Sequence, residues 1–329
     1  MKNRAAKKLT PDTATSLASG VAPARNRPQL LTIENDTRSH DDDDATLGQF
    51  IPIHYHYQML DQEPRIAGFE KAIATVVKPG MKVLELGAGT GVLSFFAARA
   101  GASKVTCVER IPHVARAAEA FLAKNGVADR TEVVIANAFE YTPDEPVDVV
   151  ICEMLHTGML REKQLDVIRA FKERYAARFG GSLPRFLPEA AVLAVQTVET
   201  NYTFHGYEAP VPMFLDGSGN GSRVTRLAAP SLYAIFEYKD AYDTTFAIDE
   251  EVVIQTPGTI NALRFITKNL LAMIPEEGRS IDWDMHDLVV PVGQPIDVKA
   301  GDVVRIRFRY EAGDSLLELQ RSIDGENDT

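Results

Sequence analysis

The chain has little cysteine and no long apolar run, and both absences exclude whole classes of protein. Its 329 residues contain two cysteines, Cys107 and Cys152, which lie in separate β-branched apolar runs and form no CxxC pair. A disulfide framework and a zinc site are therefore not expected, and reduced thiols predict a cytoplasmic location. No apolar run approaches the roughly 20 residues that a membrane-spanning helix needs. The sequence accordingly predicts neither a membrane protein nor a bound metal.

Basic residues are the minority among the charged side chains. The chain has 35 lysines and arginines against 46 aspartates and glutamates, which gives a formal net charge of −11. Because such a charge repels phosphate backbones, the composition argues against nucleic acid as a partner and favours cationic or neutral ligands. Residues 1–45 show no helical or strand period and include an acidic run at residues 41–44, so we expect a solvated, disordered tail.

Short β-branched runs alternate with amphipathic stretches from residue 82 onward. This alternation is typical of βαβ units, and it predicts a doubly wound, Rossmann-like α/β domain over residues 79–188. Residues 160–179 have the pattern of a long amphipathic helix, which Gly180 and Gly181 end. Beyond residue 188, alternating polar and apolar residues between Gly, Pro and Asp clusters predict an antiparallel β-barrel or sandwich over residues 189–329.

The first predicted strand leads into a glycine-rich loop. Residues 83–91 read VLELGAGTG, which places Gly87, Gly89 and Gly91 between a strand and a helix. Backbone N–H groups at the start of a helix can bind a ligand, so we expect one at this edge of the sheet. A dinucleotide-binding loop has its third glycine five residues after the first, where this chain has Val92. NAD is therefore the second choice of ligand, and the alternative is that the glycines only form a tight turn.

Polar residues at the ends of the next two strands suit a nucleoside. Glu109 ends the second strand, where an acidic residue of this type of fold accepts hydrogen bonds from two ribose hydroxyls. Asn137 and Ala138 end the third strand, and they can offer a side-chain amide and a backbone N–H to an adenine edge. The three residues together predict a ligand that carries a ribose.

Two glutamates bracket the loop after the fourth predicted strand. Glu153 comes at the end of the strand, and Glu162 follows nine residues later. Because ligands of doubly wound folds bind at the carboxyl edge of the sheet, both carboxylates are expected to face the ligand crevice. A planar guanidinium is the natural partner for two separated carboxylates. We expect Glu153 to be buried and Glu162 to start a partly exposed helix, and the alternative is that both have only structural roles.

These motifs resemble those of the class I S-adenosylmethionine-dependent methyltransferases, whose first motif is similar to residues 83–91. The resemblance implies S-adenosylmethionine as the cofactor and methyl transfer as the reaction. The glycine loop would then hold the methionyl end of the cofactor, Glu109 its ribose, and Asn137 and Ala138 its adenine.

The two glutamates resemble the double-glutamate loop of the protein arginine methyltransferases, with the same nine-residue separation. This resemblance implies an N-methyltransferase that acts on a guanidino or amino nitrogen of a cationic protein or small molecule. Two alternatives stay open. One is an S-adenosylmethionine-dependent methyltransferase of RNA or of a metabolite, and the other is a catalytically silent S-adenosylmethionine-binding module.

Residues 46–78 resemble the helices that cover the cofactor in that family. His56, Met59 and Arg65 have the family's spacing, which implies that His56 and Met59 pack on the cofactor and that Arg65 binds its carboxylate. Phe50 stands where the family has an aromatic residue that helps to close the site. The resemblance also implies that residues 189–329 bind substrate and that residues 203–230 form a dimerisation arm, for which a plain flexible loop is the alternative.

Two positions depart from the pattern of the family. Where the family pairs an aspartate of the covering helix with a histidine of the β domain, this chain has Gln62 and Asp282. We expect Asp282 to join Glu153 and Glu162 in one pocket, which would favour a strongly cationic acceptor. The alternatives are that Asp282 faces solvent in a turn and that His286 takes the place of the missing histidine.

Overall fold

The computed structural model describes residue 51, residues 53–216 and residues 223–325. All of these residues belong to one compact unit. The predicted tail at residues 1–45, Phe50 and the tip of the predicted arm at residues 217–222 lie outside the described residues. Within the described ranges, no helix is both long enough and apolar enough to cross a membrane.

A parallel sheet surrounds the strand that precedes the glycine loop. Its strands are β1 (Lys82–Leu86), β2 (Lys104–Glu109), β3 (Thr131–Ile135), β4 (Val149–Cys152) and β5 (Arg185–Leu187). The spatial order is β3-β2-β1-β4-β5, and all neighbours are parallel. Strands β1 and β4 are buried along nearly their whole length, which explains why β4 is apolar on both faces and why β1 is apolar apart from Lys82 and Glu85.

Helices precede, connect and follow these strands. They are α1 (His56–Asp61), α2 (Glu63–Val76), α3 (Val92–Arg99), α4 (Pro112–Lys124), α5 (Gln164–Phe179) and α6 (Leu316–Asp324). The helix predicted from residue 160 begins only at Gln164, because Arg161 has a left-handed backbone (φ 60°) that an α-helix cannot include. Its end is as predicted, since Gly180 follows Phe179 with φ of 63°.

The chain then forms an antiparallel β domain. Its main sheet contains β6 (Ala190–Thr200), β9 (Met213–Leu215), β10 (Val224–Arg226), β11 (Ser231–Glu237), β13 (Gly258–Ile274), β14 (Arg279–Asp284) and β15 (Asp287–Val298). Two further pairs are β12 (Thr245–Val253) with β16 (Val303–Glu311), and β7 (Thr203–Phe204) with β8 (Tyr207–Glu208). The predicted fold class, a Rossmann-like sheet followed by an antiparallel β domain, is confirmed. The predicted domain limits stay predictions, although the parallel sheet ends at Leu187 and β6 begins at Ala190.

Helix α2 joins the apolar cores of the two sheets. Phe69 of α2 is fully buried and packs edge-on against Trp283 of β14, with ring centroids 5.9 Å apart. The cluster of buried side chains around it includes both Leu84 of β1 and Leu271 of β13. The β domain is therefore packed beside the carboxyl edge of the parallel sheet through one continuous core, at the place where a ligand of this fold binds.

An ion pair is buried within the main antiparallel sheet. Arg264 donates from Nε to Oδ2 of Asp287 at 2.7 Å and from Nη1 to Oε1 of Gln196 at 2.8 Å. The side chains of Arg264 and Asp287 are only 13% and 8% exposed. Removal of one partner would leave the other charge uncompensated in a poorly hydrated place, which costs more than the pair itself contributes.

We expect Asp287→Ala to lower the free energy of unfolding by roughly 3–5 kcal/mol, because it leaves the Arg264 guanidinium buried without its counter-charge. The matched control is Asp249→Ala, which breaks an exposed ion pair with Arg305 and should change stability little. Urea unfolding of both variants measures the difference. Equal losses would contradict the importance of burial at Asp287.

Candidate active site

A cavity of about 640 Å³ opens at the carboxyl edge of the parallel sheet. The ends of β1, β2 and β4 form one side of it, α1 and the start of α2 form another, and the turn between β14 and β15 lines its far end. Most of the residues predicted from the sequence line this cavity, namely His56, Met59, Arg65, Gly87, Gly89, Glu109, Asn137, Ala138, Glu153 and Glu162. Gly91 and Asp282 do not line it.

The glycine loop needs its glycines for close contact as well as for its turn. Gly87, Gly89 and Gly91 have φ angles of 76°, 54° and 78°, which residues with a side chain rarely adopt. A Cβ atom on Gly89 would lie 2.7 Å from Cε1 of His56, so only glycine lets the imidazole lie on the loop. Gly91 directly precedes α3, and a Cβ atom on it would face Leu122 of α4 rather than the cavity.

The carboxylate of Glu109 is held at the end of β2 by two backbone N–H groups. Oε2 accepts a hydrogen bond from the N–H of Gly89 at 3.0 Å, and Oε1 accepts one from Ile111 at 2.8 Å. Burial raises the pKa of Glu109, although these hydrogen bonds oppose the shift. The side chain is therefore fixed against the glycine loop, and each oxygen has a lone pair left for a ligand hydroxyl.

Asn137 is fixed at the end of β3 in a similar way. Its Oδ1 accepts a hydrogen bond from the N–H of Phe139 at 3.0 Å. The carbonyl of the next residue, Ala138, accepts one from Nη2 of Arg174 at 3.2 Å. The amide nitrogen of Asn137 therefore remains as a donor beside the cavity, next to the backbone of Ala138.

Arg65 and Glu153 form a buried ion pair in the wall of the cavity. Nη2 of Arg65 donates a hydrogen bond to Oε2 of Glu153, and the two side chains are 11% and 9% exposed. The guanidinium also lies 5.8 Å from the ring centroid of Trp283. Burial raises the pKa of Glu153 while the charge of Arg65 lowers it, and burial is the larger effect. The sequence motifs predicted that both residues belong to the site, but they did not predict that the two side chains pair.

Glu162 approaches the same cavity from the other end of the loop. It lies two residues before α5 rather than at its start, and both carboxyl groups are largely removed from water, so the expected difference in their burial is not found. Burial and repulsion by Glu153 raise the pKa of Glu162 to about 8. The two ends of the loop are tied together, because the N–H of Met154 donates to Oε1 of the buried Gln164 at 2.7 Å.

His156 is a cavity residue that sequence patterns do not reveal, because an isolated histidine in a loop gives no periodic signal. Its Nδ1 lies 3.1 Å from the carbonyl oxygen of Thr157, and its ring packs edge-on against Phe214 at 5.4 Å. Since a carbonyl only accepts, Nδ1 carries the proton and Nε2 is an acceptor. Burial lowers the pKa of His156 to about 4, so the ring is neutral. Trp283 and His286 line the same end of the cavity.

Asp282 is a correction to the sequence prediction. Its carboxylate pairs with Lys268 of the neighbouring strand β13 at 2.8 Å and does not face the cavity. Successive side chains of a strand point to opposite faces, so Trp283 packs toward α2 while Asp282 points to the other side. The case for a third carboxylate at this position is therefore wrong. Asp284, where the strand ends, does line the cavity.

Comparison with known proteins gives matches among methyltransferases. The family model of the ribosomal protein L11 methyltransferase (PrmA) matches residues 70–178. The chain is 33% identical over 148 residues to protein arginine N-methyltransferase 1 of Dictyostelium discoideum, which covers 44% of this chain and 42% of that protein. It is 30% identical over 134 residues to the arginine N(omega)-methyltransferase of Streptomyces achromogenes subsp. streptozoticus, a match that covers 40% of this chain and 37% of that protein. The chain spans about half the length of the curated relatives it matches.

The architecture also has solved counterparts. The Trypanosoma brucei PRMT1 enzyme–prozyme heterotetrameric complex with AdoHcy contains a similar chain, with a TM-score of 0.64 and 21% identity over 81% of this chain and 90% of that one. The predicted resemblance to methyltransferases is thus confirmed over the sheet that carries the glycine loop. The structural likeness agrees with the fold of both sheets.

We expect Glu162→Gln to stabilise the unliganded protein most at alkaline pH. The pKa of Glu162 is raised from 4.5 to about 8, so between these values the folded protein binds more protons than the unfolded chain. The burial of Glu162 therefore costs no stability below about pH 4.5, and its contribution to stability falls as pH rises through this window. Glutamine at position 162 removes the loss of stability that Glu162 causes at alkaline pH. The loss that Glu85 causes remains, because its pKa is also raised to about 8.

Urea unfolding at about pH 5 and about pH 8.5 checks this expectation. Glu119→Gln, at an exposed position of α4, is the control and should leave the pH dependence unchanged. A Glu162→Gln variant with the pH dependence of the wild type would contradict the burial of an ionisable Glu162.

Proposed function

We propose that the protein is an S-adenosylmethionine-dependent N-methyltransferase of the arginine-methyltransferase type, which methylates a guanidino or amino nitrogen. The observation that carries the proposal is that Glu153 and Glu162 line the same cavity as the glycine loop. The match of residues 70–178 to a methyltransferase family and the arginine methyltransferases among the relatives support it.

The residues at the glycine-loop end of the cavity fit a nucleoside that carries an amino-acid group. A Cβ atom on Gly87 would lie 2.9 Å from Sδ of Met154, so the turn of the loop beside the cavity has no room for a side chain at Gly87. Glu109 is fixed to accept ribose hydroxyls, and Asn137 offers an amide donor. When bound, S-adenosylmethionine would supply a sulfonium methyl group, whose transfer requires chiefly an aligned nucleophile.

Arg65 would bind the carboxylate of the cofactor. Glu153 contacts Nη2, and the planar guanidinium has further donors on Nε and Nη1. Arg65 can therefore bind the cofactor carboxylate together with Glu153, or bind it in place of Glu153, and in both cases its charge stays paired. If the cofactor carboxylate replaced Glu153 on Arg65, Glu153 would be free to bind the methyl acceptor.

Glu153 and Glu162 would bind the acceptor as a cation. Two carboxylates in one poorly hydrated cavity repel each other, and a guanidinium or ammonium group between them removes that repulsion. The same cation favours the ionised form of Glu162, whose oxygen can then accept a proton from the acceptor nitrogen. Asp284 and the neutral His156 add further acceptors at that end, which supports a cationic protein or small-molecule acceptor.

We further propose a homodimer formed through residues 203–230, of which the structure describes 203–216 and 223–230. Tyr207 and Val211 are 74% and 48% exposed there, and a second copy of the chain would cover these apolar side chains. The similar Trypanosoma brucei chain is part of a heterotetrameric complex. A cytoplasmic location is likewise proposed, and the free, buried Cys107 and Cys152 support it.

Calorimetry should detect binding of S-adenosylmethionine and S-adenosylhomocysteine, and Glu109→Ala should weaken it roughly ten- to hundredfold. The reason is that hydrogen bonds to a charged group contribute about 1.5–3 kcal/mol. NAD should not compete, because Val92 replaces the third glycine of a dinucleotide loop. Glu119→Ala on the exposed face of α4 is the control. Binding of NAD, with no binding of S-adenosylmethionine or S-adenosylhomocysteine, would contradict the proposed cofactor.

Glu153→Gln and Glu162→Gln should each lower methyl transfer roughly a hundredfold, because each removes charge that stabilises the acceptor cation. Cofactor affinity should stay near the wild-type value in Glu162→Gln, since this residue does not contact the glycine loop. The assay is transfer of a tritiated methyl group to L-arginine, to an arginine-rich peptide and to RNA. Wild-type turnover in both variants, or transfer to RNA alone, would contradict the proposed acceptor.

A further inference from the structure

The loop between the two glutamates, residues 154–161, has an unusual backbone. Gly158, Met159 and Arg161 have φ angles of 70°, 57° and 60°, and two of these residues carry side chains that disfavour the left-handed region. Such conformations persist only where the surrounding structure determines them. The separation of Glu153 and Glu162 depends on this shape, because the loop is the covalent link between them.

Side chains of the β domain bind both backbone groups of Gly158. Its N–H donates to Oγ1 of Thr267 in β13 at 2.7 Å, and its carbonyl accepts from the hydroxyl of Tyr310 in β16 at 2.8 Å. Thr267 and Tyr310 are 0% and 3% exposed, so water cannot replace these bonds. The hydroxyl of Tyr233 lies 2.9 Å from that of Tyr310 and donates to it, since the proton of Tyr310 points to Gly158.

Backbone groups of the β domain hold the remainder of the loop. Thr157 donates from Oγ1 to the carbonyl of His286 at 2.7 Å. The N–H of Gly313 donates to the carbonyl of Met159 at 2.7 Å, and the backbone N–H of Arg161 donates to the carbonyl of Asp314 at 2.8 Å. These bonds come from the turn before β15 and the turn after β16, so they fix the loop from two directions.

We propose that Thr267 and Tyr310 are positioning residues that set the distance between Glu153 and Glu162 through Gly158. Neither side chain lines the cavity, so both act through the loop. The β domain then determines the carboxylate geometry of the site as well as packing beside it. This proposal rests on the proposed function insofar as the carboxylates bind the methyl acceptor.

The test compares variants that lose one buried hydroxyl. Tyr310→Phe removes the bond to Gly158. Tyr175→Phe is the matched control, because its hydroxyl is also buried and bonds to the backbone of Val147 at 3.2 Å, away from the loop. A second pair is Thr267→Val, which loses the acceptor for the N–H of Gly158, and Thr267→Ser, which retains it. Thermal unfolding should show similar losses for Tyr310→Phe and Tyr175→Phe.

Two measurements separate positioning from general stability. Carbon-13 NMR of labelled glutamate side chains should show that Glu162 titrates at lower pH in Tyr310→Phe and Thr267→Val, because a loosened loop separates the carboxylates and hydrates them. Turnover with L-arginine or an arginine-rich peptide should fall about tenfold in both variants. The affinity for S-adenosylhomocysteine should stay unchanged. Tyr175→Phe and Thr267→Ser should match the wild type in both measurements.

The two proposals can fail separately. If Glu162 titrates as in the wild type in Tyr310→Phe and Thr267→Val, the positioning role is wrong whatever the activity. If Tyr175→Phe lowers turnover as much as Tyr310→Phe, the effect is one of stability and the role is again wrong. If the wild type transfers no methyl group, the proposed function fails while the Glu162 titration still decides the positioning role.

Discussion

The buried ion pair between Arg65 and Glu153 holds three parts of the molecule in one arrangement. Arg65 belongs to α2, Glu153 directly follows strand β4, and the guanidinium also lies against Trp283 of the β domain. Separation of such a pair without a replacement partner is costly, because both side chains are almost removed from water. In the proposed function, a ligand carboxylate would replace Glu153 on Arg65, and a cationic acceptor would then neutralise Glu153. The same interaction therefore organises the site and connects its two ends.

The two glutamates at this pair would give the cavity its chemical preference in the proposed function. Glu162 interacts with Glu153 and is forced toward its neutral form at ordinary pH, since burial and repulsion both oppose its charge. In the proposed function, a bound guanidinium or ammonium would reverse that balance and recover the free energy lost by burial of the two carboxylates. The β domain contributes by holding the intervening loop in a conformation that its own sequence does not favour.

Local patterns in the sequence were enough for the fold class and for the glycine loop with Glu109, because each depends on residues close together in the chain. Contacts between distant residues were not predictable in this way. Arg65 and Glu153 pair across 88 positions, and no motif relates their side chains in space. The assignment of Asp282 failed because a one-residue difference along a strand reverses the face of a side chain. The start of α5 was misplaced because a left-handed Arg161 has no signature in the sequence.

A crystal structure of the complex with S-adenosylhomocysteine tests the central claim most directly. The account predicts the nucleoside over the glycine loop, with its ribose hydroxyls on Glu109 and its carboxylate on Arg65. Glu153 and Glu162 should then both face the end of the cavity that Trp283 and His286 line. A nucleoside bound elsewhere, or one bound over the loop while Arg65 makes no contact with its carboxylate, would contradict the account.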